Sequence, residues 1–509
     1  MSSTSISRRW VLGALAVAAA GSRAHAKTLS RSQWDLIVVG AGTAGLPAAL
    51  FAARRGARVL LLEKGDQLGG TLWFSGGQMS AAGTRLQRAK GIDDSAAEHL
   101  ADILRISRGT ANADVVRLAV ENAAGTLDWL ESAGLEFGAD FPVRGTGHEP
   151  YSRARVWGSP DRGRGILRVL EHELTTAPES LSIMKGTDVA EPILDRRGAV
   201  VGVVATDLAG VRRDFRAPHT VLASGGYMAN APLFQSLNGI PKYRAAGWPL
   251  NTGAGVEIGR AAGGWVRGSE NYLCDFGSIP IDLELPSAEL ARSNHHPERR
   301  PPWEIIVNRA GKRFIAEDQP GVDGRERALV KQPDHRYWLV FDEVILRDAP
   351  AMVHGAPPGE LRDWTTDELA DAFTVAPAFT SANTLEELAI VAGIDPAGLV
   401  ATVQNYNAGQ ASGSDVLGRR HLPRPIVQAP FYAIRHQGGT LISVAGLAVD
   451  GQLRVTRPNG DAIKGLYAAG ELLGNGTLSG QAFCAGMMVT PALTFGRWLG
   501  ANLPFGKRG

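Results

Sequence analysis

The sequence predicts an α/β fold built on a parallel sheet, and three observations carry that reading. First, the apolar run Asp35-Leu36-Ile37-Val38-Val39 ends in the glycine turn Gly40-Ala41-Gly42-Thr43-Ala44-Gly45. An alanine-rich stretch follows to about Arg55, and then a second apolar run, Arg58 to Leu62, closed by Glu63. Second, a further glycine-rich pass comes soon after, at Gly69-Gly70-Thr71 and Ser75-Gly76-Gly77. Third, an apolar strand near the C-terminus, Gly465 to Ala469, ends in the pair Gly470-Glu471.

The first unit reads strand, glycine turn, helix, strand within about thirty residues, a Rossmann-type βαβ with the GxGxxG pattern. Each glycine has a task. Gly40 permits the tight turn, Gly42 lets the backbone approach a pyrophosphate, and Gly45 allows the helix to pack on the strand. The helix N-terminus offers free N–H groups to the phosphates, and Glu63 is spaced to accept hydrogen bonds from ribose hydroxyls. The second glycine pass would let the chain run along a flavin, and the Gly470-Glu471 strand resembles the one that, in two-dinucleotide-type flavoprotein folds, returns to the cofactor and frames its ribityl chain; both point to FAD rather than NAD.

The first 26 residues are set apart. Ser7-Arg8-Arg9-Trp10-Val11-Leu12 resembles a twin-arginine export motif, Val11 to Ala20 is apolar, and Ala24-His25-Ala26 fits a cleavage site. The expectation is a periplasmic or otherwise exported protein, with the twin-arginine translocase as its transit partner. Without these residues the chain has 50 basic and 51 acidic side chains. Nothing then argues for nucleic acid, and no later run is long and apolar enough to span a membrane. The two cysteines, Cys274 and Cys484, make no disulfide framework, and no C-x-x-C-H haem site or Cys/His metal spacing occurs. Electrons therefore pass to or from a separate partner: a quinone, a redox protein or dioxygen.

The chain resembles the fumarate reductase and 3-ketosteroid dehydrogenase flavoprotein family. The likeness rests on Gly40–Gly45, Leu61–Gly65, Gly69–Thr84, Val221–Asn230, Asn251–Gly264, Ile305–Asp318, Thr384–Asp395, Gly465–Glu471 and Pro491–Arg497. It implies an FAD-binding domain in two pieces (27–267 and 432–509) with an α+β capping domain inserted at 268–431 and a small-molecule substrate between them. It also implies that Gly40, Gly42, Ala44, Gly45, Glu63, Lys64, Gly70, Thr71, Ser75, Gly76 and Gly77 contact FAD. Val189, Ala223, Ser224, Gly225, Gly470, Glu471 and the Gly486–Val489 backbone, Met488 included, complete that site. Relatives that attach flavin covalently do so through a histidine in the Gly69–Gly77 region; none is present, so the FAD is expected to be non-covalent.

The implied activity is hydride exchange at one carbon and proton exchange at its neighbour, making or removing a C=C bond beside a carbonyl. Fumarate itself is disfavoured. Gly321 stands where the fumarate reductases carry their proton-donating arginine, and the places of two carboxylate-binding residues fall near apolar Ile442 and Phe483. The ketosteroid branch matches better near the C-terminus, with Gly486 placed to polarise a carbonyl, although that branch's tyrosine is Ala482 here. Candidate catalytic residues are Arg325 as a proton relay, His148 and Tyr151 in a polar Gly/Pro-rich loop, Gly486 and Tyr272. His436 is a weaker candidate, and His295-His296 are expected in a solvated loop rather than a metal site. Three readings stand beside a neutral cyclic substrate: an acrylate-type carboxylate reductase, a flavin oxidase that would release peroxide, and a non-catalytic electron carrier.

Overall fold

The computed structural model describes residues 34–145, 147–319, 321–355 and 362–506; the signal-like segment 1–26 lies outside the described residues. Its centre is a six-stranded sheet. The strands are β1 Leu36–Val39, β2 Val59–Leu62, β3 Leu181–Met184, β4 His219–Leu222, β9 Arg454–Thr456 and β10 Ala462–Ala468, in the order β9-β10-β4-β1-β2-β3. Every pairing is parallel except the edge pair β9–β10. All residues of β1 and β2 are buried, which is why they read as unbroken apolar runs and not as alternating ones.

Helix α1, Gly45–Arg54, covers one face and is itself covered by α5, Val489–Asn502. The two backbones come close because Gly496 and Gly500 present no side chain; a Cβ on either would overlap the carbonyl of Ala44 or Ala48. The chain's last helix is therefore clamped onto its first glycine turn. Helix α3, Ala113–Ser132, packs on the other side of α5, and α2, Ala96–Ile106, packs on α3. A three-stranded antiparallel sheet, Thr187–Leu194, Val200–Asp207 and Arg212–Arg216, stands next to β4.

The inserted region has its own four-stranded antiparallel sheet: β5 Ile305–Val307, β6 Arg336–Asp342, β7 Phe379–Ala382 and β8 Phe431–Gln437, in the order β5-β6-β8-β7. β6 and β8 pair residue for residue, from Arg336 opposite Gln437 to Asp342 opposite Phe431. The sequence boundary at 432 thus falls inside a cap strand, and the chain leaves the cap later, at Gly438-Gly439. β8 carries no turn residue at that boundary to mark it. The two crossings lie side by side: the Asp275 N–H donates to the Gly439 carbonyl (2.8 Å), and the Gly439 N–H to Asp275 Oδ1 (2.9 Å).

Under the cap sheet, the buried Glu317 carboxylate accepts Arg313 (2.6 Å), Arg419 (3.3 Å) and the Ile306 N–H (2.9 Å). The Gly311–Glu317 motif is thus a structural ion-pair network in this chain.

Candidate active site

β1 delivers the chain to Gly40 at φ +98°, a conformation that favours glycine. A Cβ there would meet Ala223 O at 2.6 Å, so the ends of β1 and β4 close together. A Cβ on Gly45 would overlap the Gly40 carbonyl, which fixes how near α1 comes to the turn. By contrast, a Cβ on Gly42 or Gly76 meets nothing within 4 Å. Both face a cavity of about 660 Å³.

Gly40, Gly42, Ala44, Glu63, Lys64, Gly70, Thr71, Ser75, Gly76, Gly77, Val189, Ala223, Ser224, Gly225, Gly470, Glu471, Gly486, Met488 and Val489 line this one cavity. Gly45 does not; it acts by packing beneath the turn. Segments far apart in the chain converge because β1, β2, β4 and β10 are parallel and release their loops at one end of the sheet, the usual ligand edge of such folds.

The residues present fit FAD. The open space at Gly42 lies at the start of α1, where backbone N–H groups receive a pyrophosphate. Glu63 is held by two backbone N–H groups, Ala41 to Oε2 and Gly65 to Oε1, each at 2.7 Å, and turns toward the cavity. Ser224 Oγ is buried without a partner in the cavity wall, a hydroxyl awaiting a ligand. Glu471 accepts both the N–H (3.0 Å) and the hydroxyl (2.9 Å) of Ser443 and the Asn251 amide (3.2 Å); burial still raises its carboxyl above the usual range.

The catalytic candidates separate. Gly486 lines the cavity at φ +80°, and a Cβ there would overlap the Met79–Ser80 peptide. Tyr151 does not reach the cavity: it is buried, and its hydroxyl donates to the Ala485 carbonyl (2.8 Å), bracing the segment before Gly486. Arg325 is also buried, and its guanidinium donates to the carbonyls of His295, Gln319 (2.6 Å) and Glu317 (3.2 Å). With its described bonds all to backbone of the cap, it staples that domain and does not line the cavity. Tyr272 is buried away from the lining, stacked on His335 with its hydroxyl unpartnered.

His148 lies against the cavity wall without lining it. Its ring packs on Phe483, a lining residue, at 4.5 Å, and its Nδ1 is 3.4 Å from Asp323 Oδ1. His295 is not in a solvated loop. It is half-buried in a column with Phe276, Tyr337 and His436, its Nε2 3.1 Å from the Tyr337 hydroxyl. Burial first, then His436 and Arg325, depress its basicity well below that of free histidine.

Sequence reasoning missed Asp188, which pairs with Lys64 at 2.8 Å, and the lining segment Ala246–Thr252, including Trp248 and Asn251. The glycine-rich Asn251–Gly255 stretch was the available signal for part of that segment. Nothing local pointed to Trp248, which meets Phe74 at 5.4 Å at the cavity. Cys484 also lines the cavity; burial, outweighing a bond to Ser479, lifts its thiol to about 12, so it is not a thiolate nucleophile.

Comparison with known proteins agrees with this geometry. The chain is 26% identical over 471 residues to a fumarate reductase (cytochrome) of Shewanella frigidimarina, covering 92% of this chain and 76% of that protein. It is 28% identical over 560 residues to the 4-oxocyclohexanecarboxylate 2-dehydrogenase of Sinomonas cyclohexanicum, covering 93% of each. In fold it matches the 3-ketosteroid Δ1-dehydrogenase of Sterolibacterium denitrificans, with a TM-score of 0.68 at 22% identity over 92% of this chain and 98% of that one. The FAD binding domain family model matches residues 35–486, so the chain belongs to that family and is an FAD-dependent oxidoreductase.

Proposed function

We propose that this enzyme makes or removes a carbon–carbon double bond next to a carbonyl in a neutral, largely apolar substrate, with a cyclic enone as the model compound. The observation that carries the reading is the wall formed by Leu441, Ile442, Phe483, Cys484 and Gly486. Among the described residues lining the cavity there is no arginine or histidine, and its one lysine, Lys64, is paired with Asp188 beside Glu63. A dicarboxylate closed against this wall would lack a cationic partner, whereas an apolar ring loses little on leaving water. The dehydrogenase from Sinomonas acts on 4-oxocyclohexanecarboxylate, a cyclic ketone that also carries a carboxylate, and so supports the ring and the carbonyl of the proposed class but not its neutrality.

When bound, FAD supplies the hydride exchange. The chain's own part is to hold the carbonyl and to move the proton. Gly486, which lines the cavity and has no side chain, offers its N–H as the donor to the carbonyl oxygen, where charge gathers as the bond order changes. The twin-arginine-like segment supports export of the folded, FAD-loaded protein, with non-covalent FAD and a separate electron partner.

The test is anaerobic. The bound flavin is reduced, and its absorbance is followed as 2-cyclohexenone, a 3-ketosteroid dienone, fumarate and an acrylate are added in turn. Reoxidation by the enones alone is expected. Reoxidation by fumarate or the acrylate, with none by the enones, would overturn the substrate class.

A further inference from the structure

The seam between the two domains gathers polar groups that the cavity does not use. On the side of the FAD-binding domain, the loop that carries His148 is held rigidly. Arg155, fully buried, bridges Asp94 (2.8 Å) and Asp102 (2.9 Å), and Asp102 accepts both the N–H and the hydroxyl of Ser152, each at 2.7 Å. From this loop the His148 ring enters the seam. On one side it packs on Phe483 of the cavity wall; on the other its Nδ1 faces α4, the cap helix Val322–Leu329.

That helix presents two carboxyl groups three residues apart, and so on one face. Asp323 takes the Glu149 N–H on Oδ2 (2.7 Å), which leaves Oδ1 facing His148 Nδ1 at 3.4 Å. That is long for a contact between a charged ring and a carboxylate, where about 2.7–2.9 Å is usual. Glu326 brings Oε2 to 3.9 Å from the same nitrogen. It is 4% exposed, and no described residue donates a hydrogen bond to its carboxyl. Arg292 and Arg327 act on it only from a distance; burial, then the charges of Asp323 and Asp275, push its carboxyl well above the usual range. Two carboxyl groups and an imidazole thus converge on one point, and the deepest of the three has no partner to offset the loss of water.

We infer that His148 Nδ1, Asp323 Oδ1 and Glu326 Oε2 bind a divalent transition-metal ion of the Zn²⁺ type, which ties the cap to the FAD-binding domain. The three atoms lie within 4.8 Å of one another. Ligands held at about 2.0–2.1 Å around a tetrahedral zinc stand about 3.3–3.4 Å apart, which is the spacing of Nδ1 and Oδ1 as they are. Glu326, whose carboxyl no hydrogen bond restrains, closes the remaining gap by turning its side chain. An imidazole among the donors suits zinc and its neighbours, whereas Mg²⁺ and Ca²⁺ take oxygen ligands. The Glu149 N–H on Oδ2 is the outer bond that orients such a ligand. The His148 side chain is 21% exposed, so the ion and a water ligand can enter from solvent. None of the three residues lines the cavity, so the ion acts as a tie between domains and not on the substrate. Asp323 lies 175 residues from His148 in the chain, too far for any spacing motif to announce the site.

The test uses the FAD-loaded, full-length protein without an affinity tag, freed of metal by a chelator and titrated with Zn²⁺ in a calorimeter. One ion per chain is expected. His148→Ala, Asp323→Asn and Glu326→Gln should each weaken binding at least about 100-fold, beyond the 10–100-fold that loss of an outer partner costs. X-ray absorption at the zinc edge needs no variant: the parent should show only nitrogen and oxygen ligands at about 2.0–2.1 Å, an imidazole among them. Hydrogen exchange reads the tie, since Zn²⁺ should slow exchange both in α4 and in the loop around His148. The site is overturned if the parent binds no Zn²⁺, if all three variants bind it within about threefold of the parent, or if sulfur appears at about 2.3 Å. Protection confined to α4 overturns the tie, because the cap would then hold the ion alone.

Discussion

Two glycines of the same turn do opposite work, and the difference is one of available space. Gly45 is tight against the protein itself, since its missing side chain is where the Gly40 carbonyl sits. Gly42 is open, with nothing of the protein within 4 Å of a Cβ. Gly45→Ala is therefore expected to lower the stability of the FAD-free protein by about 1–3 kcal/mol, the range for overpacking. Gly42→Ala should leave the FAD-free melting temperature within a degree or two, as a benign surface change does, and weaken FAD binding at least about tenfold. Thermal melting of the stripped proteins and FAD titration by fluorescence separate the two effects; equal loss of stability in both would sink the distinction. The close packing at Gly45 was legible in the sequence because the spacing of glycines records backbone sterics, which are local. The place of His148 was not: its partner Asp323 is far away in the chain, and nothing local encodes a contact across a domain seam.

At the level of elements, the cap helix α4 shows how a motif residue can be assigned the wrong task. Arg325 sits in the polar run Gly324-Arg325-Glu326-Arg327, beside the place where a proton donor was expected. The helix instead turns Arg325 inward, onto three backbone carbonyls, and turns Asp323 and Glu326 toward the seam with His148. Charge alone did not reveal which side of the helix faces the other domain, and the run is too short for its periodicity to decide. Arg325→Met is expected to leave the FAD content intact and to cost about 3 kcal/mol of stability, because carbonyls buried in the cap lose their donor. The check is denaturant unfolding alongside the anaerobic reoxidation rate at low temperature, where the variant is still folded. A rate loss of 100-fold without loss of stability would return Arg325 to the proton path.

Across the whole molecule, the cavity is built by the two outer pieces of the chain. Its lining comes from residues 39–78, 187–189, 223–254 and 441–492, and none of the described cap residues contributes. The parallel order of the sheet was readable in outline from its unbroken apolar strands, whereas the end of the cap was not, because β8 continues without a marker past residue 432. The division of labour has a thermodynamic consequence. A ligand stabilises whatever must be folded to bind it, by about 4.1 kcal/mol when its concentration is a thousand times its dissociation constant. The cavity that would hold FAD lies in the sheet domain, beside the clamp of α1 under α5, while the cap keeps its own sheet and its own buried ion pairs, Arg300–Glu304 and Arg313–Glu317. Removing FAD is thus expected to lower the melting of the sheet domain and leave the cap transition in place, splitting one calorimetric peak into two. Glu304→Gln, within the cap, should then move only the FAD-independent peak, since it leaves Arg300 buried beside an uncharged partner. If holoprotein and stripped protein each melt in a single transition that shifts as a unit, the seam at His148 and Asp275 couples the domains more strongly than their separate cores imply.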